Sequence, residues 1–284
     1  MIFMNMNYDE IAIIGDGWGA VAAYKSMKTI FGNIWVCSSD RQLLEAVSKD
    51  KVFLLTKDCC GKVFIFAGYK PIVPKEILDN NICINIHYSL LPQYRGFHST
   101  VWAILNDEPY LGLTVHLMNE FIDDGPVIYQ YSLKNDFVST SRDYMEHFNQ
   151  HINLVLGEIC RKYLEGLIEP VIQDKTKASW VGKRKPTDCQ VNFDKNLNYQ
   201  KAFFRALVAP YPLPYILFKG QKYIVKKVAF HNVNVVTDIG KILNIDDEGI
   251  WVKCKDGYMI LKELMDESQQ LVPWDNFKIG QYLK

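Results

Sequence analysis

The stretch IAIIGDGWGAVAAYKSMK, residues 11–28, reads as a strand, a glycine turn and a helix. Ile11 to Ile14 is the unbroken apolar run that a strand buried on both faces requires. Gly15 to Gly19 supplies the turn, and Val21 to Lys28 continues as a helix. Working outward, Ile34 to Cys37 is a second apolar run, and Ser38-Ser39-Asp40 offers caps for a helix from Arg41 to Val47. Val63 to Phe66 and Ile82 to Ile86 are further strand candidates. Short apolar runs alternating with helical segments predict an α/β fold, a Rossmann-like, mostly parallel sheet with helices on both faces.

Beyond residue 96 the spacing changes. Thr100 to Leu105 reads as a helix, Gly112 to Met118 and Val127 to Ser132 as strands, and Ser141 to Tyr163 as a long helix. In that helix Tyr144, Phe148, Ile152, Val155, Leu156 and Ile159 recur at helical spacing and predict a core stripe. Residues 174–190, DKTKASWVGKRKPTDCQ, are polar and basic, in the manner of a linker that also touches ligand. A short helix from Tyr199 to Ala206 and a proline-rich turn from Pro210 to Pro214 follow. Then come β-type segments at Tyr223–Val225, Asn234–Val236, Ile250–Val252 and Tyr258–Leu261, punctuated by turns at Gly240, Gly249 and Gly257. The expected organisation is a catalytic domain over 1–175, a linker and short helix over 176–209, and a small, mainly antiparallel domain over 210–284.

The 284 residues carry 32 Lys plus Arg against 32 Asp plus Glu, a net charge of zero, which argues against a nucleic-acid partner. With 49% hydrophobic residues the chain is no disordered polymer. No apolar run reaches the roughly 20 residues a bilayer demands, so no membrane partner is expected. MIFMNMNYDE has neither the basic nor the apolar region of a secretory signal. The seven cysteines read as small hydrophobes of a reduced, cytoplasmic protein.

The turn Gly15-Asp16-Gly17-Trp18-Gly19-Ala20 matches part of a dinucleotide fingerprint, yet similar turns occur wherever a helix starts close to a strand end, and it reads as structural. The dense chemistry lies in NIHYSLLPQYRGFH, residues 85–98. Strand alternation puts Asn85 and His87 on one face, with Ile84 and Ile86 turned to the core. An asparagine amide can steady an oxyanion, and histidine exchanges a proton near neutral pH. Asp123, before the glycine of Asp124-Gly125-Pro126, is the candidate carboxylate to orient the imidazole. The same polar side chains would equally serve to satisfy loop carbonyls. A metal set drawn from His87, His98, His116 and Asp123 lacks any short ligand spacing, and none is expected; His116 reads as a packed, hydrogen-bonded strand residue. Ser89 has no nucleophile-elbow context.

Asn85-x-His87-x-Ser89-Leu90-Leu91-Pro92-x-Tyr94-Arg95-Gly96, with Gly112-x-Thr114-Val115-His116 and Asp123-x-Gly125-Pro126-Val127-Ile128, resembles the signature of the formyltransferases that use 10-formyltetrahydrofolate. The C-terminal part resembles, more loosely, the OB-like domain of methionyl-tRNA formyltransferase, with Lys241-Ile242-Leu243 and Gly249-Ile250-Trp251-Val252 as strands. The resemblance implies an N-formyltransferase with Asn85, His87 and Asp123 catalytic and neither a metal nor a covalent enzyme intermediate. It implies a folate site at the loop Tyr69-Lys70-Pro71-Ile72-Val73-Pro74, with Leu91, Asn119, Ile122 and Asp123.

For the acceptor amine, Ser179-Trp180 and Lys183-Arg184-x-Pro186 are similar to a stretch found among nucleotide-linked amino-sugar enzymes. The expected substrate contacts are Tyr94, Arg95, Gly96, Lys183, Arg184, Arg205, Tyr211 and Tyr215. The first choice is a dTDP-4-amino-4,6-dideoxyglucose feeding a surface polysaccharide such as the O-antigen of lipopolysaccharide. The dTDP-3-amino isomer comes next, then UDP-4-amino-arabinose. Methionyl-tRNA and a non-catalytic folate-binding module are the alternatives from other classes. A homodimer is the prior for oligomeric state.

Overall fold

The computed structural model describes residues 10–48, 51–60 and 62–284. The segment read for a targeting signal lies, but for its last residue, outside them. The chain divides into two compact units. One takes the chain up to Thr100, Tyr110–Lys134 and Asp143–Gly182; the other takes Val101–Pro109, Asn135–Arg142 and Lys183–Lys284.

In the first unit β1 (Ile11–Gly15), β2 (Ile34–Cys37), β3 (Val63–Ala67), β4 (Ile82–His87), β6 (Tyr110–Leu117) and β7 (Val127–Lys134) form one sheet in the order β2-β1-β3-β4-β6-β7. The four strands from β2 to β4 are parallel, and β6 and β7 are antiparallel additions. All five residues of β1 and of β3 are buried, as apolar runs without alternation require. Helix α1 (Gly17–Ile30) begins inside the glycine turn, four residues before the apolar pattern makes it visible. α2 (Arg41–Glu45) is capped by the Asp40 carboxylate, which accepts from Leu43 N at 3.0 Å.

Some short elements of this unit escaped the sequence pattern. They are α3 (Lys75–Asn80), a six-residue helix behind Pro74, and the two-residue pair β5 (Arg95–Gly96) with β8 (Trp180–Val181). α4 (Ser99–Leu105) and α5 (Ser141–Leu164) lie where expected. Tyr144, Phe148, Ile152, Leu156 and Ile159 of α5 are buried, and Val155 is half-buried. Gly157 brings α5 onto α1, where its N–H donates to Ser26 Oγ at 3.0 Å.

The second unit holds α6 (Leu197–Ala206) and an antiparallel sheet of β9 (Tyr215–Phe218), β10 (Gln221–His231), β11 (Ile242–Asp246), β12 (Gly249–Cys254) and β13 (Gly257–Met265) in the order β11-β12-β13-β10-β9. Asn234–Val236 is not a strand: Val233 and Val236 are exposed, and among the described residues no strand pairs with this segment. The seven cysteines are unpaired, and burial pushes the Cys83, Cys160 and Cys254 thiols up to about 12.

Candidate active site

The C-terminal end of β4 carries the expected pair. Asn85 and His87 share a face of the sheet, and the antiparallel register sets His116 of β6 opposite Asn85 and Thr114 opposite His87. Asp123 enters from the loop between β6 and β7. That loop can approach because Gly125 lies against the Leu117 carbonyl, where a Cβ would collide with main chain. Asp123 itself has φ 52° and Tyr94 φ 58°, left-handed conformations that non-glycine residues hold only when the surroundings impose them.

Fixed acceptors assign the protons. Tyr94 O can only accept, so His87 Nε2, 2.8 Å away, carries a hydrogen and donates it. In the neutral ring Nδ1 is then the basic atom, and it stands 3.5 Å from Asp123 Oδ2. His116 Nδ1 donates to Leu117 O at 2.7 Å, so its Nε2 is an acceptor. Asn85 Nδ2 donates one hydrogen to that Nε2 at 3.1 Å and the other to Asp123 Oδ1 at 3.3 Å. The Gly96 N–H completes the carboxylate's shell at 2.8 Å from Oδ2.

Burial pushes the Asp123 carboxyl up, but contact with His116, the charge of His87 and the Gly96 N–H outweigh it and leave the group at about 2. His87 is held below its ordinary value chiefly by burial, although Asp123 and the Tyr94 carbonyl both favour its charged form. At neutral pH the site therefore pairs a neutral imidazole with an ionised carboxylate.

The loop that shapes this site is clamped from behind. Arg95 is 3% exposed, with its guanidinium on Asp124 Oδ1 at 2.7 Å and Gln173 Oε1 at 2.6 Å. Gln173 Nε2 in turn donates to the carbonyls of Asp123 at 2.8 Å and Gly125 at 2.7 Å. Thr114 Oγ1 donates to Ser89 O at 2.7 Å and accepts from Leu91 N at 3.2 Å, fixing the start of the same loop.

Of the residues expected at the folate, Val73 and Tyr69 lie on one side of the sheet. Val73, Ile77, Cys83, Phe64 and Phe66 form a cluster there, with Tyr69 and Met118 packed against it. The loop after β3 and the loop after β6 therefore meet over this face. Ile72, 84% exposed, and Phe121 and Ile122, also exposed, leave apolar side chains at its margin. Asn119 Oδ1 accepts from Phe121 N at 3.0 Å and shapes the second loop. Val73 and Leu91 are buried, so they would back a ligand slot rather than rim it. Lys70 is exposed and Pro74 caps α3. An apolar margin with loop backbone beside it fits a flat heteroaromatic ring. Among the described residues no three His, Cys, Asp or Glu side chains gather as a metal set.

The formyl transferase family model matches residues 40–156, and the model of the formyl transferase C-terminal domain matches residues 183–282. A methionyl-tRNA formyltransferase of Nitratiruptor sp. is 31% identical over 223 residues, covering 78% of this chain and 70% of that protein. The chain belongs to the formyltransferase family. The methionyl-tRNA formyltransferase of Caldicellulosiruptor saccharolyticus is 29% identical over 243 residues, 83% of this chain and 76% of that protein. The solved N-formyltransferase of Helicobacter canadensis, in complex with folinic acid and dTDP-3-aminofucose, superposes with a TM-score of 0.71 at 19% identity, over 89% of this chain and 98% of that one.

In this formyltransferase the glycine turn after β1 is closed by acids. Asp16 Oδ1 accepts from Ser39 N at 2.7 Å and from the Ser38 and Ser39 hydroxyls, and the Gly17 N–H donates to Asp40 Oδ2 at 3.1 Å. A dinucleotide pyrophosphate would need that helix N-terminus, where Asp40 already sits.

The expected substrate cations divide. Arg95 is engaged internally, as described. Arg205 is buried in the second unit, where it donates to Ser139 O at 3.0 Å and Asn135 Oδ1 at 3.4 Å; it holds its own unit together rather than facing a ligand. Tyr215 is buried at the start of β9, with Lys222 over its ring at 4.4 Å. Burial raises the Tyr211 phenol. Arg184 lies over Trp102 at 5.0 Å, and Lys183 is exposed. Tyr94 and Gly96 contribute backbone groups to His87 and Asp123, and the Tyr94 side chain is buried.

Two polar residues of the site went unassigned by sequence. His116 is packed and hydrogen-bonded as expected, but its Nε2 partner is the catalytic candidate Asn85, with Asp123 Oδ1 3.6 Å away; its place opposite Asn85 in the next strand was the available signal. Gln173 left none, since nothing in the sequence ties it to Arg95 or Asp123.

Proposed function

We propose that this formyltransferase moves the formyl group of 10-formyltetrahydrofolate onto the amine of a nucleotide-linked amino sugar. The observation that carries the chemistry is the convergence of Asn85, His87 and Asp123 at the end of β4. The neutral acceptor amine attacks the formyl carbon to give a tetrahedral adduct. Asn85 lies in position to donate to its oxyanion by giving up its longer bond, the one to Asp123. His87 Nδ1 takes the proton from the attacking nitrogen, and Asp123 steadies the imidazolium that results. Returning that proton to the folate nitrogen completes the transfer as the C–N bond to folate breaks. The exposed apolar margin at Ile72, Phe121 and Ile122 supports a folate seat against that face.

For the acceptor, the zero net charge and the likeness to an N-formyltransferase solved with a dTDP-amino sugar support the sugar reading. A dTDP-linked amino-dideoxy sugar is the best candidate. The sequence resemblance favours 4-amino-4,6-dideoxyglucose, and the ligand of the Helicobacter canadensis structure sets a 3-amino hexose beside it. Its product would serve a surface polysaccharide. A second reading, methionyl-tRNA as acceptor, is favoured by the identity to the two methionyl-tRNA formyltransferases. The test is a panel with 10-formyltetrahydrofolate as donor and dTDP-4-amino, dTDP-3-amino and UDP-4-amino sugars and charged initiator tRNA as acceptors, with products identified by mass. Formylation of a nucleotide sugar supports the reading, and formylation of tRNA alone overturns it.

A further inference from the structure

Trp180 is 66% exposed, although tryptophan offers the largest apolar area of any side chain. One face of its ring lies over the Arg95 guanidinium at 5.3 Å. Arg95 is no mobile cation: Asp124 and Gln173 hold it beneath the ring, so the indole rests on a fixed planar charge. The backbone is equally constrained. Trp180 pairs with Arg95 and Val181 with Gly96 in the β5–β8 ladder, and Ser179 adds bonds to Tyr94 N at 2.9 Å, Arg95 N at 2.8 Å and Pro92 O at 3.2 Å. The residues it is zipped to are those whose Tyr94 carbonyl and Gly96 N–H hold His87 and Asp123.

An exposed aromatic face, immobilised one strand spacing from the loop that holds the catalytic imidazole and carboxylate, is suited to a flat partner. We propose that Trp180 is the stacking platform for the nucleobase of the acceptor. This deepens the nucleotide-sugar reading above and rests on it. In such an acceptor the amine must reach Asn85 and His87, and the diphosphate then sets the base some way off along the site's edge. The β5–β8 strap lies at that edge, reached from His87 through Tyr94 and Arg95. A cation lies beside it as well: Lys175, exposed, brings its ammonium within 3.5 Å of Asp124, the carboxylate that also anchors Arg95. A base stacks on the outer indole face without regard to its identity, since every base presents a π surface. The platform therefore does not itself choose the base, and discrimination between thymine and uracil falls to other groups.

The test is titration of dTDP and UDP into the full chain and into Trp180→Ala and Trp180→Phe, with the KM for 10-formyltetrahydrofolate measured alongside. Trp180→Ala should weaken dTDP and UDP by about tenfold, and Trp180→Phe, which keeps a ring, by less than about threefold. The KM for the folate should hold in both variants, which also reports that they fold. Unchanged dTDP affinity in Trp180→Ala, or loss of folate affinity in its place, overturns the inference while leaving the acceptor reading intact. If the unsubstituted chain binds neither dTDP nor UDP and formylates charged tRNA, the acceptor reading falls and the platform with it.

Discussion

The Tyr94 carbonyl stands 2.8 Å from His87 Nε2, and this contact fixes which ring nitrogen is left to act as a base. With Nε2 committed as donor, the lone pair of neutral His87 is on Nδ1, beside an Asp123 carboxylate that stays ionised to about pH 2. The arrangement resists protonation at rest through burial and stabilises it once a proton arrives.

Replacing Asp123 by Asn tests this directly. Asp123 favours the charged form of His87, so Asp123→Asn should move the His87 titration, already below its ordinary 6.5, further down. Turnover should fall by about a hundredfold or more, the scale of a lost acid–base partner. NMR titration of the His87 ring protons and steady-state kinetics on the same samples check both statements.

The same carboxyl contributes acid sensitivity. Its folded value of about 2 lies below the ordinary 3.8, so the stability it lends is full above pH 4 and is lost as pH falls from about 4 toward 2. The difference corresponds to about 2 kcal/mol, and Asp123→Asn should lack that slice of pH dependence in denaturant titrations.

His116→Phe removes the acceptor that orients the Asn85 amide. Turnover should drop by about tenfold, short of the hundredfold or more expected for deleting an oxyanion donor outright, while the KM for folate holds. His116→Gln, whose amide oxygen can accept, should recover part of the loss in the same assay.

Arg95→Leu leaves the Asp124 side chain largely buried with only Lys175 and the Asn119 amide beside it. Breaking a buried pair from one side costs about 3–5 kcal/mol, which urea unfolding would register. A surface cation reserved for substrate would cost little stability.

What the sequence made legible follows from what each pattern encodes. Apolar runs announced β1 through β4, and strand alternation placed Asn85 and His87 on one face, because both depend only on neighbouring residues. Arg95 and Arg205 look like ligand cations in a sequence, since a letter shows charge and not the Asp124 or Ser139 group that engages it. The same limit hid His116 and Gln173, whose importance lies in partners 31 and 50 residues away. Asn234–Val236 has strand-like letters and no strand among the described residues to pair with, whereas β9 forms at Tyr215–Phe218, directly after the proline-rich turn, where no strand was expected.

The most direct measurement is kcat/KM for a dTDP-amino sugar and for charged initiator methionyl-tRNA, side by side with 10-formyltetrahydrofolate, in the unsubstituted chain and in His87→Ala. Efficient formylation of the nucleotide sugar, little of the tRNA, and loss of the sugar activity in His87→Ala are expected. Preference for the tRNA, or sugar turnover that survives His87→Ala, would contradict these expectations.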